Sequence, residues 1–254
     1  MIRALALLAL LLVPSAAAAE RVVAALSQNR ISIDTAFTGT EILVYGAIVR
    51  DAPAPGEGAL GVVVTVAGPE RPVTVRRKAR RFGIWVNVDA VAIESAPSFY
   101  AVAATGPLAS VLLETVDERF RISPGRALQG VMAAEGLNPG EFSEALIRIR
   151  EREGAFQTTD SRVILSEDTL FSTEVALPAN LVEGRYAIRI FLTRDGEVVD
   201  QYDSAIAVRK VGLEQFLHAL AHGEPLLYGL LSLAIAIAAG WGASALFRLV
   251  RLGG

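Results

Sequence analysis

The chain has no cysteine and only two histidines among its 254 residues. Without thiols there are no disulfides, thiolate metal sites, cysteine nucleophile or lipoprotein attachment point, so an exported domain must stand on packing alone. With so little imidazole, a Ser-His-Asp centre has almost no material. Nucleophile elbow, phosphate loop, dinucleotide fingerprint and His-Glu-x-x-His are all missing, and no cofactor is expected. Nor is there an excess of positive charge: 24 Lys+Arg stand against 27 Asp+Glu, a net charge of -3. That balance argues against nucleic acid as a partner. The sequence also holds no Asn-x-Ser/Thr acceptor, which favours a bacterial periplasm over a secretory lumen.

What is present begins at the two ends. Leu226 to Phe247 carries no charged side chain. As a helix it reaches roughly 33 Å, against a hydrocarbon core of about 30 Å. A single transmembrane helix is therefore expected over 225–247. Met1 to Ala19 shows a positive Arg3, an apolar run from Ala4 to Val13 too short to span, then Pro14, Ser15 and four alanines. This is the pattern of a cleaved signal peptide over 1–19. Arg248 and Arg251 follow the span, so the positive-inside bias puts 248–254 in the cytoplasm and 20–210 in the periplasm, held at a bacterial inner membrane.

Between the ends the hydrophobic period changes twice. From Arg21 to Ala104, short runs with period-two alternation, broken by Gly, Pro and Asp, predict strands near Val22–Leu26, Ile31–Asp34, Thr40–Val49, Leu60–Val66, Val73–Lys78, Phe82–Val88 and Ser98–Ala104. Asp51 to Gly58 has turn chemistry. From 107 to 153 the spacing becomes helical. Leu108, Val111, Leu112 and Val116 form one helix stopped by Ser123-Pro124-Gly125, while Phe142, Ala145, Leu146 and Ile149 form the apolar face of another. Strands return near Arg162–Leu165, Leu170–Leu177, Arg185–Thr193 and Val198–Val208, the last two joined by the hairpin signal Asp195-Gly196. The fold class is mainly β with a helical insertion: an Ig-like β-sandwich ectodomain drawing on both strand blocks, then the membrane helix. Leu213, Phe216, Leu217 and Leu220 fall at helical spacing and predict an amphipathic juxtamembrane helix over 211–224.

Three groups of residues could carry function. The first is Arg76, Arg77, Lys78, Arg80 and Arg81, followed by Trp85 and Asn87. On a strand, Arg76, Lys78 and Arg80 project one way and Arg77 and Arg81 the other, so neither face of this stretch suits a core. It is either a charged edge that blocks aggregation or a site for an anion, anionic lipid headgroups or an acidic partner. The second is the small-residue face Ser232, Ala236, Gly240 and Ser244, which permits close packing on another membrane helix, in a partner or a second copy. The third is Glu214, His218 and His222, at i, i+4 and i+8, a spacing able to hold a transition metal but more often just a polar face.

Several runs taken together resemble the alphaproteobacterial transmembrane protein family: FTGTEILVYG from Phe37 to Gly46, RRKARRFGIWVN from Arg76 to Asn87, PSFY from Pro97 to Tyr100, LPAN from Leu177 to Asn180 with Gly184-Arg185-Tyr186, and Tyr228-Gly229. The resemblance covers nearly the whole chain after the signal segment and implies a bacterial, inner-membrane-anchored periplasmic protein. It supplies no catalytic residue or cofactor, and it implies a sulfite-exporter-type transporter as a candidate partner. The function expected is a non-enzymatic periplasmic accessory or binding module packing on a multispanning membrane protein. The alternative is a membrane-tethered hydrolase using paired carboxylates, which this composition leaves open.

Overall fold

The computed structural model describes residues 20–34, 36–50, 58–132, 136–211 and 220–252, with side chains as far as 244. The signal segment, the turn residues 51–57, and Leu213, Phe216 and Leu217 of the expected juxtamembrane helix lie outside the described residues. Two units are defined. One runs to Ile31 and from Thr38 to Val208; the other comprises Ser32–Phe37 and Arg209–Gly254.

Strands β1 (Glu20–Leu26), β2 (Arg30–Ile33), β3 (Thr40–Arg50), β4 (Leu60–Ala67), β5 (Glu70–Arg81), β6 (Ile84–Pro97) and β7 (Tyr100–Ala104) precede the helical region. That region holds α1 (Leu108–Val111), α2 (Glu114–Phe120), α3 (Pro124–Ala127), a short β8 (Gln129–Met132) and α4 (Pro139–Arg152). Then come β9 (Phe156–Thr159), β10 (Ile164–Ser166), β11 (Leu170–Leu177), β12 (Gly184–Arg194), β13 (Glu197–Lys210) and finally α5 (Pro225–Leu252).

The strands form sheets ordered β1-β3-β11-β10, β2-β13-β12-β4-β7-β9 and β5-β6-β8. Both larger sheets draw on strands from either side of the helical region: β11 pairs with β3, and β12 with β4. The six-stranded sheet is buried on both faces at its centre, in β4 and β7, while β2 and β13 carry exposed side chains. Val62, Val64 and Val66 lie opposite Leu192, Ile190 and Ile188 on one face, and Val22, Ile42, Val44 and Phe171 of the four-stranded sheet are buried as well. β1 meets β12 and β11 meets β7, which stacks the two sheets in a sandwich-like arrangement. On the other face Val63, Phe191, Tyr100 and Val102 pack with Val116, Ile122, Phe142 and Leu146 of the helical region and with Val75, Val91 and Ile93 of the third sheet. Each buried side chain of this size contributes about 1.5–3 kcal/mol.

The helical region departs from its sequence pattern at three places. The first helix breaks at Leu112 and Leu113, both extended. Leu113 N–H donates to Gly196 O at 3.0 Å in the turn joining β12 and β13, so a tertiary bond replaces a helical one. Pro124 opens α3 rather than ending a helix, because proline's fixed φ suits a first helical position. The chain before it is turned by Arg121, whose left-handed φ of 53° ends α2, and by Asp117 Oδ1, which accepts from the N–H groups of Ile122 and Ser123. Ile149, expected on the apolar face of α4, is 45% exposed, whereas Phe142 and Leu146 are buried.

Without disulfides, buried polar bonds pin distant segments. Arg189 donates to the carbonyls of Phe120 and Arg121 at 2.7 and 3.1 Å, closing the C-terminus of α2 from the central sheet. Tyr100, its phenol pushed up to about 12 by burial, donates to Ile122 O at 2.7 Å. Glu20 opens β1 between Arg50 and Arg194, each 2.7 Å away, with its carboxylate side chain only 3% exposed. Hydrogen bonding from Arg194 and then Arg50 outweighs desolvation and holds that carboxyl below its ordinary value.

Folding therefore lowers the Glu20 pKa, so its contribution is present above the ordinary value of 4.5 and lost as pH falls through the folded value. Glu20→Gln is expected to cost about 3 kcal/mol at neutral pH by leaving two guanidiniums short of a partner. Denaturant midpoints of full-length protein in detergent should converge with wild type as pH is lowered below that range. A constant gap down to acid pH would show that Glu20 contributes through shape and not through charge.

Candidate functional site

The basic run lies on β5, an edge strand, and β5 with β6 makes a long hairpin. Its base belongs to the core: Val75, Val91 and Ile93 are buried. Above them Arg77 forms a clamp. Its guanidinium contacts Asp89 at 2.7 Å and Glu141 of α4 at 3.3 Å, and lies 5.4 Å from the centre of the buried Phe142 ring. Of the candidate cations, Arg77 is therefore engaged in holding the hairpin to α4.

Beyond the clamp the ladder shifts register between Arg77 and Lys78, then continues as Lys78 opposite Asn87, Ala79 opposite Val86, Arg80 opposite Trp85 and Arg81 opposite Ile84. Directly opposed residues share a face. One face thus carries Lys78, Arg80, Trp85 and Asn87; the other carries Ala79, Arg81, Ile84 and Val86. The cations lie on one arm of the ribbon and the apolar groups on the other. Arg76, Lys78, Arg80 and Arg81 are exposed, and none forms a salt bridge among the described residues. The Arg80 Nε donates to Gly83 O at 3.4 Å across the turn.

Phe82 was expected to open the second strand, but it forms the turn with Gly83. Both have positive φ, 49° and 86°. A two-residue turn matching strand twist requires this conformation at both central positions. Glycine meets it freely; phenylalanine does not. The Phe82 ring is 106% exposed, and Ile84 and Trp85 are 64% and 69% exposed. Strand periodicity could not reveal this, although Gly83 after Phe82 was the available turn signal.

On α5, a Cβ at Gly240 would meet no atom of the described residues within 4 Å. Pro225–Ser244 is the one described helix long and apolar enough to cross a membrane, and none of its residues is buried within the chain. Ser232, Ala236, Gly240 and Ser244 recur along it every fourth residue. Of the candidate metal triad, only His222 falls among the described residues. Glu214 and His218 lie outside the described residues, and His222 stands on the helical residues 221–223.

A cavity of about 140 Å³ was missed by the sequence reading. Its lining includes Arg71, Ser98, Arg150, Asn180 and Tyr186. Three of the runs singled out by resemblance, PSFY, LPAN and GRY, meet there. LPAN and GRY are near neighbours in sequence, whereas PSFY lies far upstream and is brought beside them because β4 pairs with both β7 and β12.

The arrangement defines a class: a mainly β protein with a single C-terminal apolar helix able to anchor it in a membrane. Residues 21–249 match the family described as "Putative transmembrane protein (Alph_Pro_TM)", and the chain belongs to that family. No curated protein matches the chain. Among solved structures, the sporulation control protein Spo0M from Bacillus subtilis matches at 11% identity with a TM-score of 0.26, over 80% of this chain and 55% of that one. The chain thus spans about half the length of that protein. So loose a superposition defines neither a shared fold nor a shared activity.

Strain at the tip gives a direct test. Phe82→Asn places a residue tolerant of positive φ in the turn and is expected to stabilise the hairpin by about 1 kcal/mol. Hydrogen exchange of the amides from Lys78 to Asn87 should slow. Unchanged or faster exchange would show that the Phe82 ring supports the turn and is not strained by it.

Proposed function

We propose that this protein is an accessory or binding module of the bacterial inner membrane, with its ectodomain in the periplasm and its short basic tail in the cytoplasm. α5 anchors it and packs through Ser232, Ala236, Gly240 and Ser244 on a multispanning partner such as a transporter, the sulfite-exporter type being the candidate. The ectodomain offers the partner or its surroundings a recognition element specific for negative charge. The observation that carries this reading is the β5–β6 hairpin, where exposed cations and exposed aromatic groups stand together outside the core. Such a surface raises folding cost without adding burial, so it suits binding better than stability. The carboxylates best fixed in the structure, Glu20, Asp89 and Glu141, are held by arginines. That pairing suits architecture.

Orientation is tested by reporter fusions. A periplasm-active reporter placed after Val208 should be active and the same reporter after Gly254 silent. The opposite pattern would overturn the localisation.

Partner packing is tested in mild detergent, where a multispanning protein should co-purify in stoichiometric amount. Gly240→Leu adds bulk at a position open among the described residues, so it should reduce recovery of the partner severalfold while leaving insertion intact. Leu230→Ala should have less effect. Equal recovery with both variants would remove the small-residue face from the interface.

A further inference from the structure

The hairpin tip also indicates what it touches. A strand edge guarded against aggregation needs charge alone, and exposed Phe82, Ile84 and Trp85 on the same ribbon would recreate the hazard that the charges prevent. Holding a fully exposed aromatic ring at positive φ has no structural return, and strain of that kind is a mark of function. The groups are also ordered by depth. Phe82 leads at the turn, Ile84 and Trp85 on β6 stand level with Arg81 and Arg80 on β5, and Lys78 lies behind them opposite Asn87. At about 3.3 Å per residue, Lys78 lies roughly 13 Å behind the leading ring along its strand.

We propose that this tip docks on the surface of an anionic lipid bilayer. Phe82, Ile84 and Trp85 enter the boundary between headgroups and acyl chains, a layer about 5–10 Å deep, while the long side chains of Arg80 and Arg81 beside them reach back with Lys78 to the lipid phosphates. Trp is suited to that layer because its ring is apolar and its N–H remains wet. An acidic protein would have to offer a concave apolar pocket for the leading ring, rimmed by carboxylates, whereas a bilayer offers apolar depth bordered by phosphates everywhere. The same chain carries a membrane span, which keeps lipid at high local concentration around the ectodomain. The proposal rests on reading the hairpin as the recognition element, and it names the lipid surface as its occupant.

Trp85 supplies the probe. The chain has two tryptophans, so Trp241→Phe leaves Trp85 as the only indole of the full-length protein. That variant is placed in nanodiscs of phosphatidylcholine alone or mixed with phosphatidylglycerol, with brominated acyl chains as quenchers and no other protein present. In the anionic discs Trp85 emission should move to the blue and be quenched severalfold more than in phosphatidylcholine. The triple reversal Lys78→Glu, Arg80→Glu, Arg81→Glu should return it to the phosphatidylcholine level. So should raising salt, which shortens the Debye length from about 10 Å at 0.1 M to about 3 Å at 1 M. Phe82→Gly keeps the turn and every charge, and it should weaken quenching through loss of the leading ring alone.

A water-exposed Trp85 in both lipids overturns the proposal, as does equal quenching in both lipids and in the reversal variant. Shielding of Trp85 only after a protein partner is added overturns it too, while leaving the accessory reading intact. Loss of partner co-purification with Trp85 still quenched by anionic lipid would instead overturn that reading and leave the lipid contact standing.

Discussion

The antiparallel pairing of β4 with β12 is the constraint on which the rest depends. It joins a strand from before the helical region to one from after it, and it forms the centre of a sheet whose middle is buried on both faces. Every β4 residue from Gly61 to Val66 is buried, so its alternating side chains serve two different cores. One core lies under the four-stranded sheet. The other receives the helices and the base of the β5–β6 hairpin. A change that shifted β4 by one residue would exchange the two sets of side chains and misfit both cores at once.

That second core makes the projecting hairpin possible. A two-stranded ribbon is marginally stable on its own in water. Here Val75, Val91 and Ile93 root it in the core, and Arg77 joins it to α4 through Glu141 and the Phe142 ring. Because Arg77 is about half exposed, its ion pairs add little free energy, within about 1 kcal/mol. Their effect is geometric: they fix where the buried part of the ribbon ends. Residues beyond that point are free of packing demands, which is why cations and large apolar side chains can share both faces.

Much of this was legible in the sequence. Period-two alternation located β1, β3, β4, β11, β12 and β13, and Asp195-Gly196 marked a turn in which both residues do have positive φ. Phe142 and Leu146 were identified as core from helical spacing alone. Phe82 and Pro124 were misjudged from local turn and cap signals, whereas two other failures come from tertiary contact overriding local pattern. Leu108 to Val116 has one helical period but becomes two helices because the Gly196 carbonyl captures the Leu113 amide. β8 lacks alternation of its own and exists because β6 offers it a free edge at Ala92, Ile93 and Ser95. At the candidate site, the run of cations was plain and its opposite faces followed from strand geometry. The engagement of Arg77 was not, since Glu141 lies far along the chain.

Composition conceals the feature that matters most. The chain as a whole is slightly acidic, with a net charge of -3, and a global count gives no reason to expect affinity for anions. Yet screening limits each charge to neighbours within about 10 Å, so the field at a surface is set by local density and not by the total. From Arg76 to Asp89 the hairpin carries five cations and one carboxylate, and that carboxylate is already bound to Arg77. Because the ribbon projects, the nearest acidic groups of the core cannot neutralise its outer cations through direct pairing. The extended geometry therefore turns a nearly balanced composition into a concentrated positive potential, and it delivers that potential together with the apolar groups at the tip.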